Sequence, residues 1–561
     1  MKAMQVLSAA EMQACDRTTT ERFGILSIQL MRNASAAVAA FARRQFPAAS
    51  RITVLCGRGN NGGDGMMAAR LLADAGLDVT TLLLGERDKL AGDAAEAWRE
   101  LTEPMHGSVH IITTASDLDQ HKALLESDLI LDAIVGTGFK PPLKGLALAA
   151  LEWSRSSNAP ILAVDLPSGW PSDETAATIS DPVFPADAVI TFAAPKPAHV
   201  FGQLTRSWDQ PIVVAPIGSP DEAIVSSRAL TWAGSSLALA QAPRAADSNK
   251  GKFGHVLVVG GSFGADGGKS GAPAMVSLAA LRAGAGLVTA AVPVPALVPV
   301  ASVAPELMTW PLTASPAGGI LSENLAPEKV AAFTAGKTVL AIGPGLGQGA
   351  ETAKFTIGLL AATKIPTVID ADALNILAAD PDQLIHLSKG RTLVLTPHPG
   401  EMARLASLTV AQVQADRLGT ARAFAQRFRV ILVLKGARTL IAHPDGRVAA
   451  NTSGNPAMAK GGSGDVLTGL IAGLLAQYPA DPGHAVEAAV YLHGLAADFA
   501  VHEGDQHTLL ATDSFSYLAR AFQSSGFHVG KDSLNSYVWL QGALHAEDKS
   551  NVQYTLVRTQ Q

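Results

Sequence analysis

A glycine-rich stretch in the second half of the chain, KGGSGDVLTG at residues 460–469, combines an anion-binding backbone with a carboxylate. The loop 461–464 reads Gly-Gly-Ser-Gly, and the apolar residues after it have helical spacing. N–H groups at the start of a helix attract anions, and the helix dipole is positive there. Asp465 would then be a general base beside an anion hole that holds a transferring phosphoryl group. A plain glycine turn, capped by Asp465, is the alternative that this motif alone leaves open.

Four further segments of the second half place glycine or polar residues where an apolar strand ends. They are VVGGSFG (258–264), AIGPGLG (341–347), LTPHPGEMARL (395–405) and LKGARTLI (434–441). In open α/β sheets ligands bind outside the carboxyl ends of the strands, which favours a site that includes His398, with Lys435 near a nucleotide. Each segment alone is more often a tight turn or a structural residue.

The first half contains a strand, a glycine loop and a helix in VLCGRGNNGGDGMMAARLL, residues 54–72, with the helical stretch predicted at 64–75. The loop is not GxGxxG and no Walker lysine follows, so an ordinary dinucleotide fingerprint or P-loop is disfavoured. Asn60, Asn61 and Asp64 add polar side chains to the glycine backbone, which suits a ligand that carries phosphates and hydroxyls. A turn with Asn and Asp in left-handed conformations explains this motif equally well.

Three other segments of the first half also follow predicted strands: LDAIVGTGFKPPLKG (131–145), AVDLPSGW (163–170) and FAAPKP (192–197). Asp132 and Asp165 each stand at the end of an apolar run. One such aspartate is usually a helix or turn cap. Two of them together with NNGGDG favour a polar ligand site.

Short β-branched runs alternate with Ala/Leu-rich helical stretches, and this alternation must position the motifs. It predicts parallel sheets with helices on both faces. The alternation breaks around 216–251, which places a domain boundary near 220–250. The predicted strands are 52–56, 79–84, 128–134, 160–165 and 187–192 in the first half, and 255–260, 286–292, 338–343, 366–371, 392–397 and 430–436 in the second.

Composition excludes several classes of protein. Of 561 residues, 48% are hydrophobic and 16% charged, which predicts large buried cores in more than one domain. A net charge of −6 without a long basic run does not indicate nucleic acid. Two cysteines and no apolar leader favour a reduced, cytoplasmic setting. The apolar region 283–305 contains four prolines, which predicts a strand and loop and no membrane span.

Taken in order, the motifs of residues 250–520 resemble the ribokinase-like superfamily and, within it, the ADP- or ATP-dependent NAD(P)H-hydrate dehydratases. The matching stretches include KGKFGHVLVVGGS, IGPGLG, DADALN, TPHPGE, KGARTLI and NPAMAKGGSGDVLTGLIAG. The resemblance implies that the hydrated dinucleotide is bound by Ala272, Gly345, Gly347, His398 and Asp465. It implies that the adenine nucleotide is bound by Lys435, Gly436, Ala437, Arg438, Thr439 and Gly464. The stretch 263–270 is longer and more polar than in the family.

The motifs of residues 1–225 resemble the NAD(P)H-hydrate epimerase domain. The resemblance implies that the substrate is bound by Asn60, Asn61, Gly62, Gly63, Asp64, Gly136, Thr137, Gly138, Phe139, Lys140, Pro141, Pro142 and Asp165. It implies a potassium ion held by Asn61, Asp132 and Ser168, an oxygen-only set that suits a hard cation. The stretch LMRNAS (30–35) departs from the family at Arg32 and Ser35.

Together these resemblances predict a bifunctional enzyme of two doubly wound domains. Residues 1–225 would form a Rossmann-like three-layer sandwich, residues 226–525 a ribokinase-like three-layer sandwich, and 526–561 a tail without a readable motif. The first domain would interconvert the R and S hydrates of NADH and NADPH, and the second would dehydrate the S form with ADP and magnesium. Asp165 and Asp465 are the predicted catalytic residues, and a homo-oligomer is expected. The alternative is a vitamin-precursor kinase fused to a non-enzymatic binding domain.

Overall fold

The computed structural model describes residues 3–264, 267–524 and 537–547, and it divides the chain into two compact units. The first comprises Met4–Leu230 and the described residues from Ser524 onward, and the second comprises Thr231–Gln523. Both are α/β. No helix among the described residues is both long and apolar enough to cross a membrane.

The first unit contains a mixed sheet of eight strands, in which all seven strands from the amino-terminal part of the chain run parallel. Its order is Val538–Gln541, β7, β6, β5, β4, β1, β2, β3. The strands are β1 (Arg51–Cys56), β2 (Asp78–Leu84), β3 (Ser108–Ile112), β4 (Leu129–Ala133), β5 (Ile161–Val164), β6 (Ala188–Phe192) and β7 (Ile212–Ala215). The helices are α1 (Ala9–Glu21), α2 (Ser27–Gln45), α3 (Asn60–Asp74), α4 (Gly92–Thr102), α5 (Ala115–Gln120), α6 (Gly145–Ser154) and α7 (Pro197–Phe201).

Alternate residues of β1 face opposite sides of this sheet, as the twofold period of a strand requires. Leu55 belongs to a buried cluster that includes Leu118 of α5 and Leu151 of α6. Cys56 lies against α3 at Gly65, where an added Cβ would be 3.0 Å from its Sγ and 2.5 Å from the Cβ of Ala133. Both faces of the sheet are therefore covered by helices, which explains why the strands read as almost continuous apolar runs.

The carboxyl-terminal strand Val538–Gln541 pairs antiparallel with β7 and forms one edge of the first sheet. The aromatic rings of Tyr537 and Trp539 pack edge-on against Phe41 of α2, with centroid separations of 5.2 and 6.0 Å. The Tyr537 hydroxyl donates a hydrogen bond of 3.1 Å to the carbonyl of Ala37. This part of the tail, for which the sequence offered no interpretation, is thus an integral part of the first unit.

The second unit contains a ten-stranded sheet in the order β13, β12, β9, β14, β15, β16, β17, β18, β19, β8. The strands from β13 to β17 are parallel, and β17, β18 and β19 are successively antiparallel. The strands are β8 (Leu230–Trp232), β9 (His255–Val259), β12 (Leu287–Pro293), β13 (Met308–Leu312), β14 (Val339–Ile342), β15 (Thr367–Ile369), β16 (Leu393–Leu395), β17 (Ile431–Leu434), β18 (Leu440–Ala442) and β19 (Val448–Ala450), with a separate hairpin of β10 (Phe263–Gly264) and β11 (Gly267–Gly268).

The helices of the second unit are α8 (Leu237–Ala240), α9 (Gly271–Arg282), α10 (Leu297–Ala301), α11 (Pro327–Thr334), α12 (Ala350–Ala362), α13 (Asp372–Leu377), α14 (Gln383–Leu387), α15 (Pro399–Ala406), α16 (Val410–Ala415), α17 (Arg417–Phe428), α18 (Ser463–Gln477), α19 (Pro482–Glu503) and α20 (Leu518–Gln523). Helix α18 packs closely on α9, because Gly469 and Gly473 leave no side chain between the two backbones. The region 283–305, predicted as strand and loop, also contains α10.

Candidate active sites

A cavity of about 900 Å³ opens in the first unit beyond the carboxyl ends of β1, β4 and β5. The strand order reverses between β4 and β1, and this switch point is where open α/β sheets bind ligands. Eight of the residues predicted from the sequence line the cavity: Asn60, Asn61, Asp64, Gly136, Thr137, Gly138, Phe139 and Asp165.

The other predicted substrate residues of this unit do not line the cavity. Gly62 and Gly63 are buried in the first turns of α3, where a side chain at Gly62 would collide with the carbonyl of Gly57. Lys140, Pro141 and Pro142 follow the lining segment and lie outside it. The sequence also predicted that NNGGDG is a loop and that the helix begins at residue 64. This was wrong, because α3 begins at Asn60 and its first turn faces the ligand space.

Asp165 lies directly after β5 in a left-handed backbone conformation, with φ of 66°. Its Oδ2 accepts hydrogen bonds from the backbone N–H and the hydroxyl of Thr137, at 2.8 and 2.6 Å. Its Oδ1 accepts hydrogen bonds from Thr191 and from the ammonium of Lys196, both at 2.9 Å. A non-glycine residue with positive φ is strained, and at a ligand cavity such strain is commonly held in place by this kind of surrounding network.

Lys196 was not singled out in the sequence, although FAAPKP was noted as a strand-end segment. Its side chain is 2% exposed and it also donates a 2.7 Å hydrogen bond to Thr191. Burial opposes ionisation of Asp165, but the charge of Lys196, the nearby His199 and the hydrogen bonds outweigh it and hold the pKa of Asp165 well below its usual range. Burial and Lys196 lower the pKa of His199 to about 4, so its ring is neutral beside this pair at neutral pH.

Asn61, Asp132 and Ser168 supply the oxygens of the predicted potassium site. The Ser168 hydroxyl donates a 2.6 Å hydrogen bond to Oδ1 of Asp132, and the Ser168 N–H donates one of 2.7 Å to Oδ2. Both amide atoms of Asn61 are buried and have no hydrogen-bond partner within the described protein. Burial raises the pKa of Asp132 to about 6. An orphaned amide oxygen and a buried carboxylate fit a hard cation, which would satisfy both.

Two departures from the family pattern lie away from the cavity lining. The guanidinium of Arg32 pairs with Glu100 at 2.7 Å on the surface of α2, and neither Arg32 nor Ser35 lines the cavity. The buried Ser35 hydroxyl donates to the carbonyl of Met31 at 2.8 Å, one turn earlier. Both substitutions are therefore accommodated within the helix layer.

In the second unit, Asp465 is the third residue of α18, which begins at Ser463 after Gly462 in a left-handed conformation. No side-chain hydrogen bond caps this helix, so the alternative that Asp465 is its cap is wrong. Burial and the Asp370 charge raise the pKa of Asp465 to about 7, against the opposing effect of Lys435. A carboxyl group that titrates near neutrality can serve as a general base.

Asp370 and Lys435 form the charged centre next to Asp465. Lys435 donates a 2.9 Å hydrogen bond to Oδ1 of Asp370, and it lies 3.8 Å from Oε2 of Glu401. Thr396 and Thr468 donate to the two oxygens of Asp370 at 2.8 and 2.9 Å. Asp370 was absent from the predicted site, although it ends a predicted strand just as Asp132 and Asp165 do.

The structure places Lys435 beside the start of α18. The sequence assigned it, with residues 436–439, to the adenine nucleotide, and its ammonium lies between the carboxylates of Asp370 and Glu401. A Cβ at Gly464 would be only 3.4 Å from that ammonium. Lys435 and Gly464 thus belong to one group around Asp465. Arg438 is half-buried, with φ of 55°, and donates a 2.8 Å hydrogen bond to the carbonyl of Thr452.

His398 caps α15: its Nδ1 accepts hydrogen bonds from the N–H groups of Gly400 at 3.0 Å and Glu401 at 3.4 Å. Its side chain remains half exposed. Burial and the Lys435 charge lower the pKa of His398, so a neutral imidazole is available to a ligand. A structural and a ligand-binding role are therefore compatible at this residue.

Ala272 of α9 contacts Gly345 of the glycine segment 341–347, since a Cβ at Gly345 would be 3.3 Å from that of Ala272. Gly347 donates a 2.9 Å hydrogen bond to Oδ2 of Asp372, which Lys269 approaches at 3.4 Å. The long polar stretch 263–270 forms the hairpin of β10 and β11, apart from 265–266, which lie outside the described residues. Lys269 thus connects this stretch to the glycine turn.

Both units match known families. The family described as NAD(P)H-hydrate dehydratase matches residues 256–520, and the one described as YjeF-related protein N-terminus matches residues 27–198. The bifunctional NAD(P)H-hydrate repair enzyme Nnr of Moorella thermoacetica is 41% identical over 92% of this chain and 96% of its own length. This chain belongs to the bifunctional NAD(P)H-hydrate repair enzyme family.

Other relatives match over a similar share of this chain. The bifunctional NAD(P)H-hydrate repair enzyme Nnr of Escherichia coli is 37% identical over 91% of this chain and 93% of its own length. Among solved structures, the ADP/ATP-dependent NAD(P)H-hydrate dehydratase of Bacillus subtilis, co-crystallised with ATP and Mg²⁺, is 32% identical with a TM-score of 0.42, over 51% of this chain and 96% of its own. The second unit matches the family described as NAD(P)H-hydrate dehydratase, and the first unit matches the YjeF-related N-terminal family.

Proposed function

We propose that this enzyme repairs hydrated nicotinamide coenzymes. Its first domain interconverts the R and S hydrates of NADH and NADPH, and its second dehydrates the S form with ADP. One observation carries the proposal: this member of the family has two carboxylate centres, Asp165 in a large cavity and Asp465 beside a glycine-rich helix start. The domain limits proposed are 1–225 and 226–525, with the described part of the tail, residues 537–547, added to the first.

The geometry of the second domain suits phosphoryl transfer to the C6 hydroxyl of the hydrate. Asp465 accepts the proton of that hydroxyl, because with a pKa of about 7 a substantial fraction of this carboxyl group is ionised at neutral pH. The N–H groups of the 461–464 segment hold the transferring phosphoryl group at the positive end of α18. Water is a poor leaving group and phosphate a good one, so the ring nitrogen then expels phosphate and restores the coenzyme.

ADP with its magnesium ion is the proposed phosphoryl donor, bound by residues 435–439 and Gly464, and the products are AMP and phosphate. Lys435 is positioned to meet the phosphates instead of the base, since its ammonium lies beside Gly464. The hydrated dinucleotide would contact Ala272, Gly345, Gly347, His398 and Asp465. The ammonium of Lys435 lies between the carboxylates of Asp370 and Glu401. A nucleotide phosphate bound there would therefore contact a cation that also neutralises part of this negative charge.

In the first domain, we propose that Asp165 contacts the substrate as a catalytic carboxylate, with Asn60, Asn61, Asp64 and the segment 136–139 around the rest of the ligand. Four hydrogen bonds, one of them from the ammonium of Lys196, keep this carboxylate ionised, so it is suited to stabilise positive charge on the nicotinamide ring. A potassium ion held by Asn61, Asp132 and Ser168 would supply a fixed positive charge next to the phosphate-bearing part of the ligand.

One assay tests both activities. A mixture of R and S hydrates of NADPH is given to the enzyme with ADP, and the absorbance of NADPH is followed. Full recovery supports both activities, whereas recovery that stops at the S fraction identifies an inactive epimerase domain. No recovery, with phosphorylation of a hydroxymethylpyrimidine, would instead support the vitamin-precursor kinase, which the family membership disfavours.

Two further proposals concern setting and assembly. The buried free thiols of Cys15 and Cys56 suit a reducing cytoplasm. A homo-oligomer remains a prediction that sedimentation of the purified protein tests.

A further inference from the structure

Two carboxylates line the cavity of the first domain in opposite environments. Asp165 is held by Thr137, Thr191 and Lys196, as described above. Asp64, half-buried, lines the same cavity from the first turns of α3, but its carboxyl group forms no hydrogen bond with any residue the structure describes. When two carboxyl groups of one site differ so strongly, the environments assign them different roles in acid–base chemistry.

The charges that face Asp64 come from four other segments of the domain. Asp16 lies on α1, Asp93 on α4 and Asp165 after β5, and all three disfavour a further negative charge. Lys196, before α7, is the cation that opposes them, and it is already paired with Asp165 at 2.9 Å. Burial, followed by the charges of Asp165 and Asp16, raises the pKa of Asp64 well above its usual value.

We propose that Asp64 is the residue that transfers the proton during epimerisation, and that Lys196 is a positioning residue that keeps Asp165 as a fixed anion in the same cavity. This inference rests on the proposed epimerase function and goes beyond it, because it separates the proton donor from the carboxylate that stabilises charge.

The step can be written with its atoms and electrons balanced. The protonated carboxyl group of Asp64 gives its proton to the C6 hydroxyl of the hydrate. The C6–O bond breaks as the N1 lone pair forms a C6=N1 double bond, and water leaves. Asp165 stabilises the cation on the ring. Water then adds to the opposite face of C6, the electrons return to N1, and the Asp64 carboxylate recovers its proton. No oxidant or co-reactant is needed.

The experiment uses the full-length enzyme with the pure R hydrate of NADPH and excess ADP, so that NADPH forms only after epimerisation. For Asp64→Asn we expect kcat to fall by roughly 10²–10⁴-fold, the usual range for a positioned acid–base group, with KM changed by less than threefold. Dehydration of pure S hydrate by the same variant should equal that of the wild type. Asp74→Asn, at the far end of the same helix and outside the cavity, is the matched control and should behave as the wild type.

The pH profile separates proton transfer from simple binding. The acid form of Asp64 is the active one, so wild-type kcat for epimerisation should fall as the pH rises through its pKa. Asp64→Glu should keep a falling limb at reduced kcat, and Asp64→Asn should lose it. Lys196→Met should lower kcat and move the limb, because it removes the cation that faces both carboxylates.

The outcomes are distinct. If the wild type does not convert R hydrate, the proposed epimerase function is wrong. If the wild type converts it and Asp64→Asn does so within threefold, or raises only KM, the assignment of Asp64 is overturned. Should Asp64→Asn fail to fold, as judged by melting and by lost dehydration, Asp64→Glu decides: wild-type kcat with an unchanged pH profile would also overturn it.

Discussion

The ammonium of Lys435 lies 2.9 Å from Oδ1 of Asp370, and this ion pair acts on the carboxyl group of Asp465. The three residues come from separate parts of the second domain: the end of β15, the end of β17 and the start of α18. Burial and Asp370 favour the protonated form of Asp465, while Lys435 favours the carboxylate. The balance leaves a group that can both accept and release a proton at neutral pH.

Replacing Asp465 by Asn should abolish dehydration while preserving the fold. Because no side-chain bond caps α18, the melting temperature should stay close to that of the wild type. ADP affinity should be equal or slightly higher, since one negative charge near the phosphates is gone. Turnover of S hydrate should fall by roughly 10²–10⁴-fold. Calorimetric titration with ADP measures the affinity, and the absorbance of NADPH measures the turnover. Turnover within tenfold of the wild type would exclude Asp465 as the base and make His398 the next residue to test.

The pH dependence of dehydration should show the same group. The base must be deprotonated, so kcat for S hydrate should rise with pH through about 7, the pKa of Asp465. In Asp370→Asn one negative charge is removed, which lowers the pKa of Asp465 and should move this rise to lower pH. Asp445→Asn, on the turn between β18 and β19, is the control and should leave the profile unchanged. If kcat of Asp370→Asn rises over the same pH range as in the wild type, the charge of Asp370 does not influence the pKa of Asp465.

The sequence was informative where local chemistry sufficed. Asp132, Asp165 and Asp465 were recognised because a polar residue after a buried apolar run, next to glycine, is visible in one dimension. The family resemblance then assigned them to two sites. The eleven predicted strands match β1, β2, β4, β5 and β6 of the first sheet and β9, β12, β14, β15, β16 and β17 of the second to within one or two residues at their ends, since buried parallel strands read as apolar runs. The sequence did not predict β3, β7, β8, β13, β18, β19 or the strand Val538–Gln541.

The missed residues depend on contacts between segments distant in the chain. Lys196 forms a hydrogen bond with Asp165, which is 31 positions earlier in the chain, and Lys435 forms one with Asp370, 65 positions earlier. A lone lysine or aspartate carries no signal for its partner. The predicted start of α3 at residue 64 failed for a different reason: Asn and Gly have low helix propensity, yet packing of the first turn against β1 and β4 overrides it.

Asp165→Asn should abolish conversion of R to S hydrate and leave dehydration of pure S hydrate near normal. The substitution removes the fixed anion and leaves Lys196 as a buried cation without its partner. Stability of the first domain should therefore also fall, by about 3–5 kcal/mol if the fold does not relax. The double variant Asp165→Asn/Lys196→Met should recover part of that stability but no epimerisation. Normal epimerisation in the single variant would remove Asp165 from the mechanism.

The proposed potassium site can be tested without an activity measurement. Crystals grown with rubidium or thallium in place of potassium should show an anomalous peak between Asn61, Asp132 and Ser168. The peak should disappear in Asn61→Leu, which removes the orphaned amide oxygen. Potassium should also raise the melting temperature of the wild type and not of that variant, because a ligand bound only to the folded state stabilises it. Water alone at the site, with no effect of potassium on melting, would contradict the assignment.

The carboxyl-terminal strand should be needed for the stability of the first domain. Trp539 is 3% exposed and packs on Phe41, while its strand covers the edge of β7. Trp539→Ala should cost roughly 3–5 kcal/mol, as for other large-to-small changes in a core. At about 1.4 kcal/mol for each factor of ten, amide exchange in β7 should accelerate by at least about 10²-fold. Hydrogen–deuterium exchange of peptides that contain Ile212–Ala215 measures this directly. Val538→Ala, half-buried in the same strand, is the matched control and should accelerate exchange by about tenfold or less. Exchange in β7 that is the same in Trp539→Ala as in the wild type would mean that this strand is dispensable for the sheet.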